Sequence, residues 1–355
     1  MRSKEALVLS PNRWNGVLDV GIFKFARFLM DMGYRVEHAN LENPLTYLRG
    51  APGITHRMIR PLPNRWMRWR WLWDMTYRLQ PYGGLRREWD VLMTDASPLL
   101  YFANRVKAKV KIYRLNDLLS GFGVPKVILE EERRFVERSD VILVAHRSLL
   151  EGLPHRKAVY LPNPIDLELF PADGNFPEPE ELRGIPHPRV IYVGAISEWF
   201  DWDTLIYAAR RLNGVSFVVV GPPRSVPASL PENIFLLGGK PHSRVHLYMR
   251  HSDAAIIPFK LSPLIEAMDF PNKVLEYFAV GLPVVSIRWR SFERSFPQVL
   301  FYDDPNGAVR RISEALDAGK DPSLRRLVVP YGRDAIYAKF RRILSDVEAG
   351  RTLQD

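Results

Sequence analysis

A lysine and a glutamate three residues apart, Lys273 and Glu276, lie in the stretch DFPNKVLEYFAVGLPVV (269–285). The residue types predict a loop, a short helix capped by Asn272, a stop at Gly281 and a buried strand. A lysine in the first helical turn opposes the helix dipole, whose amino end is already partly positive. A bound anion removes that conflict. The pattern indicates a phosphate site, and the alternative is a capped surface helix with a local Lys–Glu pair.

Two carboxylates are placed where they can serve a bound ligand. Glu276 shares a helix face with Lys273, so it can accept hydrogen bonds from a ribose diol. Asp117 ends the segment YRLND at the carboxyl end of a predicted strand. Open α/β sheets bind ligands at strand ends of this kind. An ordinary strand-end turn is the alternative for Asp117.

The composition bounds the class of protein. The chain has 355 residues, 46% of them hydrophobic, which is enough for two globular domains. It has no cysteine, which excludes disulfides, thiolate zinc sites and cysteine nucleophiles and fits a reducing compartment. No apolar run reaches the length of a membrane span or of a signal peptide core.

The net charge of +10 is concentrated in one aromatic segment. Residues 57–87 hold eight arginines and one acidic residue, and four of the nine tryptophans. Tryptophan and arginine together favour an anionic membrane surface, so we expect a cytoplasmic protein bound peripherally to the inner face of the plasma membrane. An ordinary core helix and a nucleic-acid patch are the alternatives. The residues assigned to acceptor or membrane contact are Arg13, Trp66, Arg68, Trp69, Arg70 and Trp73.

Strand and helix patterns alternate along the chain and restart after a segment rich in proline and glutamate. They predict an α/β protein with an N-terminal domain (1–162), a linker (163–188) and a second domain (189–332). A final helix, 333–347, is expected to return to the first domain. Such domains bind ligands at the carboxyl ends of their strands. The first loop lacks GxGxxG, so nothing supports a dehydrogenase.

Four segments resemble, in chain order, those of bacterial GT-B glycosyltransferases of the group-1-like kind. They are YRLND (113–117), PNPID (162–166), VGAISEWFD (193–201) and PNKVLEYFAVGLPVV (271–285). The first is also similar to the strand end YRASD of the xanthan-pathway glucuronosyltransferase. The resemblance implies the GT-B fold, in which two Rossmann-like doubly wound domains face a central cleft, and sugar transfer from a nucleotide donor.

The resemblance also implies roles for single residues. Asp117 is the expected general base, Lys273 the contact to the donor diphosphate and Glu276 the contact to the ribose. The turn 194–197 is expected to face the phosphates, and the loop 238–240 the base. The full set of expected donor-binding residues is Gly194, Ala195, Ile196, Ser197, Gly239, Lys240, Asn272, Lys273 and Glu276.

The expected donor is a UDP-sugar, with UDP-glucuronate a candidate, and the acceptor is lipid-linked or a polysaccharide. Met268 stands where retaining relatives carry a second glutamate, which favours inversion. No metal or other cofactor is expected, and no nucleic acid partner. The alternatives are a retaining GT-B transferase, a UDP-sugar epimerase, and a non-enzymatic protein that binds nucleotide sugars or anionic polymers.

Two other groups of residues suggest metal binding. Asp201 and Asp203 form a D-x-D pattern, but they open a predicted helix, where aspartate is a normal N-cap. His242 and His246 are four residues apart on another predicted helix, and no third ligand is evident. The sequence therefore predicts structural roles for these residues.

Overall fold

The computed structural model describes residues 3–11, 21–41, 54–59, 69–80, 82–95, 99–117, 119 and 124–353. The chain forms two compact units. The first comprises residues up to Pro164 and the C-terminal segment from Ile336, and the second comprises Ile165–Ala335. Each unit is built on one parallel sheet, and the prediction of two doubly wound α/β halves is confirmed.

Within the described residues, the first unit has a parallel sheet in the order β3-β2-β1-β4-β5-β6-β7. Its strands are β1 (Glu5–Leu9), β2 (Arg35–Leu41), β3 (Thr55–Ile59), β4 (Glu88–Asp95), β5 (Lys107–Leu115), β6 (Val141–Val144) and β7 (Ala158–Tyr160). Its helices are α1 (Gly21–Asp31), α2 (Arg70–Leu79), α3 (Leu100–Ala103) and α4 (Lys126–Arg138). The winding direction reverses between β1 and β4, where open α/β sheets bind ligands.

The sheet of the second unit repeats this plan in the order β10-β9-β8-β11-β12-β13, as far as the described residues show. Its strands are β8 (Arg189–Val193), β9 (Ser216–Val220), β10 (Ile234–Gly238), β11 (Ala254–Ile257), β12 (Val284–Ile287) and β13 (Leu300–Tyr302). Its helices are α5 (Trp202–Arg211), α6 (His242–Arg250), α7 (Pro263–Glu266), α8 (Lys273–Ala279), α9 (Arg290–Ser295), α10 (Pro305–Ala318) and α11 (Arg325–Val328). The winding direction reverses between β8 and β11.

Strands in both sheets are buried along their whole length because helices cover both faces of a doubly wound sheet. Every residue of β8 and β9 is buried, including Arg189 at the start of β8. Strand β6 reads VILV and is also fully buried. Continuous apolar runs of this kind identify the strands in the sequence but do not say which face is which.

The predicted linker is part of the second unit, which corrects the expected boundaries. Leu182 and Ile185 are buried in its core, and the Arg189 guanidinium donates to both of their carbonyl oxygens, at 2.6–2.8 Å. Arg189 also forms an ion pair with Glu178, at 2.6 Å. A buried guanidinium needs several acceptors, and the proline-rich segment supplies them.

Some predicted elements have other bounds. The sequence pattern predicts a helix over 98–106, where the structure has only the short α3, and a helix from Ala308, which in the structure begins at Pro305. Asp304 caps it by accepting a hydrogen bond from the N–H of Gly307, at 2.7 Å. Elements β3, α7, α9 and β13 are too short to give a clear periodic signal, and the sequence did not predict them.

The last helix, α12 (Arg333–Glu348), packs from Ile336 onward with the first unit. The Phe340 ring lies 5.5 Å from that of Phe25 and 5.9 Å from that of Phe28, both in α1. Near its end, Glu348 accepts hydrogen bonds from Lys4 and Tyr34. Residues far apart in the chain therefore complete one core.

We expect Phe340→Ala to destabilise the first unit by about 3–5 kcal/mol, because it removes a fully buried ring and leaves a cavity. Peptide-resolved hydrogen exchange should show faster exchange in α1 and β1 and unchanged exchange in the second unit. Lys339→Ala changes the exposed neighbour and is the control. Unchanged exchange in α1 would contradict this account of the packing.

Candidate functional site

Three loops meet where β8, β9 and β10 end in the second unit. Gly194 follows β8 with φ +144°, a conformation available to glycine and strained for other residues. Its N–H donates to the carbonyl of Val220, at 2.8 Å, and the N–H of Gly221 donates to Gly238, at 2.9 Å. A Cβ added to Gly221 would overlap the carbonyl oxygen of Gly194. The close packing therefore requires glycine at Gly221 as well, a residue that sequence reasoning missed.

Lys273 lies directly against this turn. A Cβ added to Gly194 would overlap the Cε and Nζ atoms of Lys273. The ammonium stands 5.4 Å from the ring centroid of Tyr192 and 5.7 Å from that of Phe259. These rings come from β8 and from the loop after β11. Lys273 therefore reaches the point where the winding direction of the sheet reverses.

The Lys273 ammonium has no hydrogen bond or ion pair with any part of the chain that the structure describes. Burial lowers its pKa, and the nearby charge of Glu276 raises it in part. Partial burial of an ammonium without a hydrogen-bond acceptor is unfavourable. A bound anion would supply the missing acceptor.

Two buried tyrosines fix the relation between α8 and the turn. The hydroxyl oxygen of Tyr277, in α8, accepts a hydrogen bond from the N–H of Val193, at 2.8 Å. The Tyr192 hydroxyl donates to the carbonyl of Ala195, also at 2.8 Å. In the sequence both residues have the spacing of ordinary core aromatics, so their hydrogen bonds could not be foreseen.

Asn272 does not cap α8, and the prediction of an N-cap is wrong. Its backbone is already helical (φ −54°, ψ −24°), whereas an N-cap is extended, and its side chain makes no capping hydrogen bond. The helix begins at Lys273 as expected. Gly281 follows it with φ +74°, which confirms the predicted stop.

Glu276 does not pair with Lys273, although the two share α8. Its Oε1 atom lies 2.9 Å from Nε2 of His242, the first residue of α6. The local Lys–Glu pair that was the alternative to an anion site is therefore not formed. His242 was considered in the sequence only as a partner of His246.

The remaining candidates for donor binding differ in their exposure and in whether their side chains already have partners. Ala195 is exposed, Ile196 is buried in the core, and the Ser197 hydroxyl donates to Glu198, at 2.8 Å. Lys240 is bound to Glu181, at 2.8 Å, and this bond raises the pKa of Lys240. The lysine charge is therefore used within the protein.

Gly239 packs close to Pro222 in the loop after β9. The backbone of the loop 238–240 consequently lies beside the turn that contains Gly194. Because the Lys240 charge is occupied by Glu181, what this loop can offer a ligand is its backbone.

In the first unit, Asp117 follows β5 and is partly buried. Burial raises its pKa, and the charge of Arg114 lowers it in part. Among the described residues Asp117 has no hydrogen bond or ion pair. A carboxylate with a raised pKa and no internal partner is suited to accept a proton from a ligand.

Arg114 is fully buried beneath this position. It donates to the Leu161 carbonyl, at 2.6 Å, and to the Asn163 side chain, at 2.7 Å, and it stacks 4.5 Å from the Phe25 ring. Burial lowers its pKa to about 9. Arg114 thus supports the strand end on which Asp117 stands.

The first helix begins next to the same strand end. A Cβ added to Gly21, at the start of α1, would overlap Asn163 Oδ1 and come within 3.0 Å of Asn116 Oδ1. At the reversal point of this sheet, the Ser10 hydroxyl donates to Asp95, at 2.9 Å. This pair could not be predicted from the sequence, because neither residue belongs to a motif.

The basic segment exposes a different helix face from the predicted one. Trp73 is buried and lies 4.8 Å from Tyr101, so it is a core residue and its expected membrane role is wrong. Among the described side chains of α2, the large hydrophobic ones that are exposed are Trp71, Met75 and Leu79, at 64%, 43% and 72%.

The other residues expected at an acceptor or membrane surface are only partly described. Trp69 precedes α2 and is 41% exposed. Arg70 is the first residue of α2. Arg13, Trp66 and Arg68 lie outside the described residues.

The D-x-D pattern is a helix cap, as the sequence predicted. Asp201 accepts from the N–H groups of Asp203 and Thr204 and from the Thr204 hydroxyl, at 2.6–3.3 Å. In the portion of the chain that is described, no group of three or more acidic or histidine side chains is arranged to hold a metal ion. None of the helices described there is long and apolar enough to cross a membrane.

The second unit matches a known family. Residues 187–318 match the family model described as glycosyl transferases group 1. The chain is 29% identical over 209 residues to the putative teichuronic acid biosynthesis glycosyltransferase TuaH of Bacillus subtilis (strain 168), which covers 56% of this chain. This chain spans about half the length of that curated relative (50%).

Solved structures share the whole fold at low sequence identity. Anabaena HepE, solved in complex with UDP, has a TM-score of 0.69 and 13% identity, covering 96% of this chain and 100% of its own. Sucrose-phosphate synthase from Thermosynechococcus elongatus has a TM-score of 0.68 and 14% identity, covering 98% and 100%. The chain therefore has the GT-B glycosyltransferase fold, and its residues 187–318, which carry Gly194, Lys273 and Glu276, match the group 1 glycosyltransferase family, as the sequence predicts.

Proposed function

We propose that this protein is a glycosyltransferase that moves a sugar from a UDP-sugar to a hydroxyl group of a lipid-linked or polysaccharide acceptor. The observation that carries the proposal is the Lys273 ammonium, partly buried against Gly194 and without an acceptor among the described residues. It lies within the residues that match the group 1 family. Structural relatives were solved with UDP and with UDP-glucose, which supports this class of donor.

In this proposal the donor diphosphate lies beside Lys273 and the turn 194–197. Glycosyl transfer leaves negative charge on the departing diphosphate, so a fixed ammonium and backbone N–H groups stabilise the transition state more than the ground state. Asn272 stands at the start of α8 and borders the same site. We propose a reaction that needs no metal, since Lys273 supplies the positive charge.

Glu276 accepts from the ribose hydroxyls, and the backbone of Gly239 and Lys240 borders the base. Asp117, from the first unit, removes the proton of the acceptor hydroxyl. Direct displacement then inverts the anomeric centre. UDP-glucuronate is one candidate donor. Product stereochemistry separates this scheme from a retaining transferase, and turnover without an acceptor would indicate an epimerase.

Lys273→Ala should weaken UDP binding about 10- to 100-fold, because a charge-assisted contact to phosphate is lost. Isothermal titration with UDP measures the change. Lys339→Ala removes an exposed lysine of the first unit and should bind UDP as the wild type does. Equal affinity in Lys273→Ala and the wild type would refute the assigned diphosphate contact.

Asp117→Asn should abolish turnover while leaving UDP affinity unchanged. A base works only when deprotonated, so activity should be lost as the pH falls through its pKa. Burial raises that pKa, so the acid limb of the kcat/KM profile should lie above the ordinary aspartate range near about 4. Turnover of Asp117→Asn at the wild-type rate would refute the role of Asp117 as the general base.

We also propose that α2 attaches the protein to an anionic membrane surface, such as the inner face of the plasma membrane. Trp71, Met75 and Leu79 are spaced by four residues and form one exposed apolar stripe. Arg78 and Arg86 lie at its C-terminal end, where Arg86 donates to the carbonyl of Arg78. Apolar side chains beside arginines are typical of interfacial helices.

The acidic residue of this segment is neutralised within the protein. Asp74 accepts a hydrogen bond from Tyr101, at 2.5 Å, and forms an ion pair with Arg105, at 3.0 Å. The arginines at the end of α2 are therefore not opposed by a free carboxylate on that helix. This charge distribution complements an anionic lipid headgroup layer.

Replacing Trp71, Met75 and Leu79 by serine should reduce binding to vesicles of phosphatidylcholine and phosphatidylglycerol by about tenfold or more, because apolar area is no longer buried. Flotation measures the bound fraction, and retained UDP affinity shows that the variant is folded. The matched control replaces Val226, Leu261 and Val329, exposed apolar residues of the second unit. Equal retention of both variants would exclude this helix as the membrane contact.

A further inference from the structure

One hydrogen-bonded pair in the second unit is not used by the function proposed so far. Nε2 of His242 lies 2.9 Å from Oε1 of Glu276. His242 is the first residue of α6, and Glu276 lies in α8. We infer that His242 is a positioning residue that holds Glu276 in place to select donors with a ribose diol. This inference rests on the proposed function, in which Glu276 contacts the ribose.

The pair is placed so that a ligand can still reach the carboxylate. The exposed fractions of the His242 and Glu276 side chains are 27% and 18%, so neither is sealed in the core. Only Oε1 of Glu276 is engaged by His242. Within the described chain, the other carboxylate oxygen has no hydrogen bond. That oxygen is available to accept from a hydroxyl of a ligand.

The histidine is held firmly enough to orient the glutamate. Its ring packs edge-to-face against Phe170, with centroids 6.1 Å apart. Further along α6, Val245, Tyr248 and Met249 are buried and fix the helix on the sheet. A glutamate side chain has several free torsions, so a fixed donor that restrains it lowers the entropy lost when a ligand binds.

The hydrogen bond runs from His242 to Glu276 in either protonation state of the imidazole ring. A carboxylate only accepts, so Nε2 must carry the hydrogen, whether the imidazole is neutral or charged. Donation to Oε1 leaves Oε2 for the ribose. A site that accepts from a substrate hydroxyl discriminates against analogues without it, because the acceptor is then covered by the bound ligand and stays unsatisfied.

A competing explanation is that His242 only stabilises the packing of α6 on α8. In that case its loss would weaken every ligand to the same degree, whether or not the ligand has a ribose diol. Selectivity between two ligands that differ only in the diol therefore separates the roles. UDP and 2′,3′-dideoxy-UDP form such a pair.

The experiment measures the affinities of both ligands by isothermal titration for His242→Phe, Glu276→Gln and the double variant. Phenylalanine keeps the ring against Phe170 and removes the donor. We expect His242→Phe to weaken UDP about two- to tenfold and to leave dideoxy-UDP unchanged. In the Glu276→Gln background the same change should have no further effect on UDP, because the two residues act as one unit.

Two further variants complete the test. His242→Gln retains an N–H donor and should restore part of the preference for UDP. His246→Phe lies on the same helix, also packs against Phe170, and should behave as the wild type. Equal weakening of both ligands in His242→Phe, or additive losses in the double variant, would overturn the positioning role alone. Failure of the wild type to bind UDP would overturn the proposed function together with it.

Discussion

The proposed donor site depends on the position of one ammonium group. Lys273 is held between Tyr192 and Phe259 and against the backbone of Gly194, in surroundings that lower its pKa. A positive charge in such a place is unfavourable unless an anion accompanies it. The glycine turn, the tyrosine hydrogen bonds and the start of α8 together hold this charge at the end of β8.

Both units use the same feature of a doubly wound sheet. Strand order reverses between β1 and β4 and again between β8 and β11, and polar or charged residues gather at those ends. In the second unit the result is the turn at Gly194. In the first it is the Ser10–Asp95 hydrogen bond, with Asp117 on the adjoining strand end. The residues differ between the two units, but in both they lie at the strand ends where the strand order reverses.

In the first unit, burial affects the pKa of Asp117 more than the nearby charge of Arg114 does. Asp117 has a raised pKa although Arg114 is near, because desolvation outweighs the attraction. Arg114 is itself buried against backbone carbonyls, with Leu161 among its acceptors. A carboxylate that stays reactive near a cation requires this balance, which no motif in the sequence reveals.

The sequence by itself determined the alternation of strands and helices, the GT-B resemblance, and the placement of Lys273, Glu276 and Asp117 at element ends. These follow from local periodicity and from turn residues, which act over a few positions. Only the tertiary structure decided that Trp73 is buried, that the proline-rich segment belongs to the second unit, and that Glu276 pairs with His242. Each of these depends on contacts between residues distant in the chain. The physical reason is that burial and hydrogen-bond partners are set by packing, which local patterns do not encode.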